Sequence, residues 1–530
     1  MTRNIEEWNV EDESFWNRIG KKIARRNLWI SIPALLLAFS VWLMWGMLIV
    51  QMKKLGFTFG LPNSSPDQLK EINELLWTLP AIAGLAGATL RIPNSFLIAI
   101  GGGRNTIFLT SSLLLIPTVG AGLALQNPET PYWIFAILAA TSGFGGGNFA
   151  SSMSNISYFF PKRVQGTSLG LNAGLGNLGV SVMQFLIPIV IASGAFVSIA
   201  GVGIPLTEID GHKAVGTLVY IQNAAWVWVP LLILASVAAF FGMNNLKSAT
   251  PKLGNVVSEF SKILLLVLFG VIGAGVGAYL LKGLGINMWV VLPVTVMITL
   301  SLMKFLSPNE LKENLNKQFA IFNNKHNWIM TIIYTMTFGS FIGYAASFPK
   351  LIQDVFGYLP NGLVNPNAPN PMTWAFLGPM VGAIIRPLGG WLSDKLESGS
   401  KVTAYSTLLQ IAAALGVAYY IIQARESMAP EEYWWPFFTL FMALFIGTGI
   451  GNGSTFRSIP YIFSKEQAGP VLGWTSAIAA YGAFIIPKVF GQQIKLGHAE
   501  YALYGFSVYY IVCLILNWWY YDRNDAEITC

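Results

Sequence analysis

Long apolar runs recur along the whole of this 530-residue chain, and they limit what it can fold into. Fourteen of them can be read, at about 28–52, 74–100, 106–125, 132–160, 165–193, 224–243, 260–281, 286–305, 328–351, 373–392, 402–423, 435–463, 469–492 and 501–519. About twenty apolar residues are enough for one helix to cross the hydrocarbon layer of a bilayer. Composition agrees: 54% of the residues are hydrophobic and 11% charged, whereas soluble domains carry about a quarter charged. The expected fold class is an all-α polytopic membrane protein.

The first run is too long for the roughly 7 to 15 apolar residues of a cleaved signal peptide, so it reads as the first span. An even number of spans puts both termini on one side. Assigning the basic arm (Arg3, Arg18, Lys21, Lys22, Arg25 and Arg26) to the cytoplasm leaves about twenty Lys and Arg on that side and about nine on the other. The net charge of +7 is therefore a topology signal, and no soluble basic domain exists to present it to nucleic acid. Two cysteines, Cys513 and Cys530, offer neither a disulfide framework nor metal spacing. No cofactor and no metal are expected.

NISYFF at 155–160 matches SIPYIF at 458–463, and the same offset aligns Gly166, Leu169 and Gly170 with Gly469, Leu472 and Gly473. Two related halves of six helices each are the plan of the major facilitator superfamily, with substrate bound near the midplane. The expected organisation is a cytoplasmic arm (1–27), a six-helix bundle (28–246), a linker with an inserted transmembrane hairpin (247–325), a second six-helix bundle (326–521) and a cytoplasmic tail (522–530). The hairpin, joined by KGLG at 282–285, has glycines at 270, 273, 275 and 277 suited to close helix contact. It reads as a peripheral insert without transport residues.

Charges inside spans are costly and therefore informative. Arg91 in GATLRIPNSF and Arg386 in GAIIRPLGGW each lie about eight to ten residues from a cytoplasmic helix end, or about 12 to 15 Å at the helical rise. They share one depth, one in each half. Each could make a structural pair with an acid or with carbonyls, yet no Asp or Glu falls in the interior of any span. The functional reading is an anion site in a central cavity, because guanidinium is planar, always charged and suited to bidentate oxyanion binding. Arg457 in GNGSTFRSIPYIF, about six residues from its helix end, either snorkels to the surface or acts near the cavity mouth.

His212, His326 and His498 fall in loops or at helix edges, so no obvious proton carrier is present. Closing an empty site over two arginines would bury like charge uncompensated, which favours obligatory exchange of one anion for another. In GLNAGLGNLGVSVMQ, at 170–184, the 100° helical step lines up Gly166, Gly170 and Gly174 with Asn177 on one side and puts Asn172, Gly176 and Gly179 on the other. Two smooth faces let such a helix slide or tilt between neighbours.

GFGGGNFASSMSNISYFFPK with QGTSLGLNAGLGNLGVSVMQ, and GWTSAIAAYGAFIIPKVFG, resemble the two signatures of the nitrate/nitrite porters (NarK type). The resemblance starts at FWNRIGKKIARRNLWIS and covers nearly the whole chain outside the hairpin. It implies that Arg91 and Arg386 clamp the anion, that Asn177, Tyr334 and Ser476 complete its polar contacts, and that Phe149, Phe338 and Phe456 enclose it. Aromatic walls suit a flat, monovalent ion and disfavour tetrahedral, divalent sulfate. GGWLSDKLESGSK resembles the superfamily's loop motif, in which Asp394 would steady a neighbouring helix end; the first-half equivalent near Arg104 lacks the acid.

The resulting expectation is a monomeric nitrate/nitrite antiporter of the inner membrane, working by rocker-switch alternating access, with lipid and the two anions as its partners. Nitrate/proton symport is the first alternative. A membrane anion sensor or receptor would need a signalling domain, for which the tails are short, and an enzyme would need a nucleophile, metal set or acid pair among the spans.

Overall fold

A computed structural model of the protein describes residues 4–63, 65–194, 201–207, 213–363 and 365–530. Helices dominate. Among the described residues, extended ladders are confined to Asn4–Ile5 beside Asn245–Leu246 and Ile204–Pro205 beside Leu218–Val219. Eleven helices among the described residues are long and apolar enough to cross a membrane. The expected spans at 74–100, 132–160 and 373–392 lie outside that set, although the helices Pro66–Asn94, Tyr132–Phe159, Leu377–Ile384 and Arg386–Lys395 cover most of their length. Their sequences exchange bulky apolar residues for glycine and small polar ones, and two of them carry an arginine.

The chain divides into two compact units. The first comprises Met1–Trp8, Trp29–Ser152 and Gly179–Lys317; the second comprises Asn9–Leu28, Met153–Leu178 and Gln318–Cys530. The glycine-rich stretch 170–184 spans one of the crossings, where the helix Gln165–Asn177 stops and a new one, Gly179–Ile191, begins.

In the first unit the helix Pro66–Asn94 is central. Pro66 occupies its first turn, where the missing N–H costs nothing, and Ser65 with Gln68 closes a reciprocal capping box. Its small residues admit close neighbours: the Trp42 indole, which donates to the Ala83 carbonyl at 2.7 Å, covers Gly87. Gly143 and Gly146 of the helix Tyr132–Phe159 lie directly against Ala86 and Gly87.

The inserted hairpin, Val256–Lys282 and Met288–Leu306, docks along this same helix. Gly270 meets Leu90 and Pro93, Gly273 meets Thr89 as well as Thr299 of the hairpin's second helix, and Gly277 meets Leu85 and Thr295. Gly275, by contrast, faces open space. The hairpin thus rests on the back of the helix that carries Arg91.

In the second unit the helix Gln165–Asn177 lies on the segment 377–395 through its glycine stripe. Gly166 meets Asp394 and Gly390, Gly170 meets the Arg386 carbonyl and Pro387, and Gly174 meets the Ala383 carbonyl and Pro387. Pro387 has no N–H to return to Ala383, four residues back, so the helix breaks at Ile385 and restarts at Arg386. The absence of Cβ atoms on the opposing helix accommodates that irregular backbone.

Two glycine substitutions separate close contact from mere helix propensity. In Gly146→Ala the added Cβ would sit 2.5 Å from the Gly87 Cα, an overlap costing about 1–3 kcal/mol, so the melting temperature in detergent is expected to fall by several degrees. Gly275→Ala meets nothing within 4 Å and should leave it unchanged or slightly raised.

Candidate functional site

Arg91 in the first unit and Arg386 in the second are each buried against aromatic rings. In the first, Arg91 is 0% exposed, donates from Nε to the Gly146 carbonyl at 2.6 Å, and sets its guanidinium carbon 4.8 Å from the Phe149 ring, 5.1 Å from Trp42 and 5.7 Å from Phe39. Phe149, the one bulky residue in a run of small ones, is thereby part of a three-ring bed. Its ring also meets that of Phe39 edge-on at 5.8 Å.

In the second unit Arg386 is also 0% exposed, with its guanidinium carbon 3.9 Å from the Phe341 ring and 5.4 Å from Phe338. Nε, Nη1 and Nη2 all lack a hydrogen-bond partner among the described residues, and no carboxylate there lies within ion-pair distance. Ring faces offer such a cation about 2 kcal/mol when it is desolvated. That is small against the cost of taking a charge out of water. The guanidinium is therefore poised to take an anion edge-on through its N–H groups.

The helix Lys325–Tyr334 continues through a π-helical turn, Thr335–Gly339, a local widening that often marks functional positions. Tyr334 precedes this turn and Phe338 lies within it, with ring centroids 6.0 Å apart, and Tyr334 is 5.9 Å from Phe456. Gly339 meets the backbone of Ala479, which brings the Ser476 helix beside the same turn. Ser476 itself donates to the Gly473 carbonyl of its own helix at 2.7 Å. Asn177, 0% exposed, donates from Nδ2 to Ala173 at 2.7 Å and leaves Oδ1 without a partner among the described residues.

Among the expected site residues, the second unit thus holds Arg386, Tyr334, Phe338, Phe456, Ser476 and Asn177, and the first holds Arg91 and Phe149. Sequence reading missed Phe341, the ring closest to Arg386, although its place three residues after Phe338 was a signal. Phe39 and Trp42 beneath Arg91 gave no signal, since nothing local ties them to it.

Of the two readings of Arg457, at the surface or near the cavity mouth, burial removes the first. The side chain neither snorkels nor reaches the surface: it is 3% exposed, with Nε 3.8 Å from Asp394 Oδ1 and its guanidinium 4.1 Å from the Tyr461 ring. The carboxylate also accepts from the Thr167 amide at 2.8 Å and the Thr167 hydroxyl at 2.7 Å. An acid in the first turn of the helix Gln165–Asn177 meets N–H groups that have no partner within the helix, and the positive end of its dipole. The acid that compensates Arg457 is 63 positions away in sequence, which is why the reading of its own helix could not find it. Of the second stripe, Asn172 donates to the Met153 sulfur at 3.4 Å, and Gly179 meets the Leu36 carbonyl in the first unit.

The histidines belong to helix ends. His326 is buried, 3.0 Å from the Tyr521 hydroxyl and 3.4 Å from Glu527, and His498 lies 3.2 Å from Glu500. His212 lies outside the described residues.

Asp394→Asn should leave Arg457 buried without a counter-charge and destabilise the protein by about 3 kcal/mol. Adding Arg457→Met to it should restore most of that loss. A double-mutant cycle of denaturant unfolding checks the coupling, and additive losses would show the two groups to be independent.

The comparisons with known proteins point one way. The chain is 36% identical to the nitrate/nitrite transporter NarU of Salmonella typhimurium, over 99% of this chain and 97% of that protein. It is 36% identical to the probable nitrate/nitrite antiporter NarK2 of Thermus thermophilus, over 99% and 98%, and 24% identical to the nitrite extrusion protein of Bacillus subtilis, over 96% and 98%. Among solved structures it resembles the major facilitator superfamily proton:xylose symporter XylE, with a TM-score of 0.58 at 13% identity over 96% of this chain and 98% of that one. The human organic anion transporter MFSD10 gives 0.55 at 14%, over 94% and 99%. No protein-family model matches.

Proposed function

Because the chain belongs to the family of the nitrate/nitrite transporters and has the major facilitator fold of secondary carriers, we propose that it exchanges nitrate for nitrite by rocker-switch alternating access. The observation that carries this reading is the buried Arg386 guanidinium, whose three nitrogens have no hydrogen-bond partner among the described residues. A small oxyanion supplies both the charge and the acceptors that this group lacks. Arg91, on its own aromatic bed, supplies the corresponding donors in the first unit. Tyr334, Asn177 and Ser476 add polar contacts, and Phe149, Phe338 and Phe456 exclude water.

Exchange follows from the same electrostatics. An empty carrier must bury the Arg386 guanidinium, which has no counter-charge among the described residues, each time it changes conformation, whereas a loaded one does not. Return with a second anion is then the path of lower energy. Gly166, Gly170, Gly174 and Gly176 let the helix Gln165–Asn177 shift against its neighbours, Gly179 does the same for the start of the helix Gly179–Ile191, and the Asp394 contact to Thr167 holds one conformation until transport breaks it. The two six-helix bundles at 28–246 and 326–521, cytoplasmic termini, a monomeric state and an inner-membrane location complete the proposal.

Counterflow in proteoliposomes tests it. Nitrate uptake should require internal nitrite or nitrate and should not respond to an imposed pH gradient; uptake driven by that gradient into vesicles without internal anion would mean proton symport. Arg91→Ala or Arg386→Ala should abolish binding, and lysine at either position should restore it only in part, since an ammonium lacks the planar fork. Near-normal nitrate binding by either alanine variant would refute the site.

A further inference from the structure

The helix Trp434–Ile462, which carries Phe456 and Arg457, also carries Asn452. This asparagine is 0% exposed, and neither Nδ2 nor Oδ1 has a hydrogen-bond partner among the described residues. Buried polar groups in folded proteins are nearly always paired, so an amide with both ends unsatisfied points to a ligand or water that occupies the site in use.

Its place on the helix is well bounded. Gly449 and Gly453 press on the segment around Gly382 and Arg386, while Gly451 and Ser454 turn to the helix Gly399–Glu426, where the Ser454 and Thr403 hydroxyls lie 2.6 Å apart. Asn452 belongs to neither face. At 100° per residue it falls within about 20° of Phe445 and about 40° of Phe456, on the third face. Phe445 lies 6.0 Å from Phe341, and Phe456 lies 5.9 Å from Tyr334. Asn452 is therefore bracketed at the level of Phe338, between two aromatic pairs. The Arg386 guanidinium sits over Phe338 and Phe341, at that same level.

We propose that Asn452 is a further anion-contacting residue that favours nitrate over nitrite. An anion only accepts hydrogen bonds, so a bound one is met by Nδ2 of the amide, as it is by the Arg386 N–H groups. A guanidinium fork takes one edge of a trigonal oxyanion through two oxygens. The third oxygen of nitrate then receives the Asn452 N–H, whereas nitrite has no third oxygen to offer. The inference rests on the nitrate/nitrite reading above and adds a specificity-determining contact to it.

Counterflow and nitrate-binding measurements on the wild-type protein, Asn452→Leu and Asn452→Asp test it. Exchange by the wild type is the check on the functional reading, and its absence would overturn that reading and this inference together. With the wild type active, Asn452→Leu should raise the nitrate KM and Kd about ten- to a hundredfold, the loss expected for a hydrogen bond to an ion. Nitrite should suffer several-fold less. The melting temperature of the anion-free Leu variant should be unchanged or higher, because an unsatisfied amide has been replaced by an apolar side chain; a fall would assign Asn452 to structure and overturn the proposal. Asn452→Asp keeps the size and gives Arg386 a partner, so the protein should fold and bind neither anion. Wild-type nitrate affinity in either variant, within twofold, or equal losses for nitrate and nitrite, would overturn the inference while leaving the exchange reading intact.

Discussion

A guanidinium buried without a partner is a debt that the surrounding structure must either carry or pass to a ligand. Among the described residues Arg386 is such a group, and the residues around it are arranged for that condition. Phe338 and Phe341 give it ring faces rather than counter-ions. Pro387 interrupts the helix at the arginine itself, and the glycines of the helix Gln165–Asn177 fit the exposed carbonyls that the interruption leaves. An acid beside Arg386 would have supplied the counter-charge that the described residues lack, and left no place for an anion in the proposed site. Arg457 shows the contrast within the same unit: it has Asp394, and the pair holds a helix end in place.

The first unit solves a related problem with different parts. Arg91 is anchored through Nε to the Gly146 carbonyl, which fixes the plane of its guanidinium above three rings. That carbonyl is in reach because Gly146 and Gly87 let two helices approach to backbone contact. The hairpin lies on the other side of the Arg91 helix, fitted to it through Gly270, Gly273 and Gly277. A peripheral insert in sequence terms is thus a brace for an arginine-bearing helix in structural terms.

Much of this was legible in the residues because membrane helices obey few rules. An arginine in an apolar run must be at a certain depth, and three glycines at intervals of four must share a face, so Arg91, Arg386 and the stripe at Gly166, Gly170 and Gly174 could be placed on helices without coordinates. Partnerships across long sequence separations could not. Nothing near Arg457 reveals Asp394, nothing near Asp394 reveals Thr167, and nothing near Arg91 reveals Phe39 or Trp42. Asn452 escaped for another reason: an asparagine in GIGNGSTF looks like one more small polar residue until its amide is seen to lack a hydrogen-bond partner among the described residues.

The central claim is that a small oxyanion completes the buried arginine site, and ligand-dependent stability measures it most directly. A ligand that binds only the folded protein raises its stability with the logarithm of ligand concentration once the site is filled. The purified protein should melt at progressively higher temperature as nitrate or nitrite is added, and sulfate at equal ionic strength should have no such effect. Melting that responds equally to all three salts would mean that no built anion site exists, and would contradict the account.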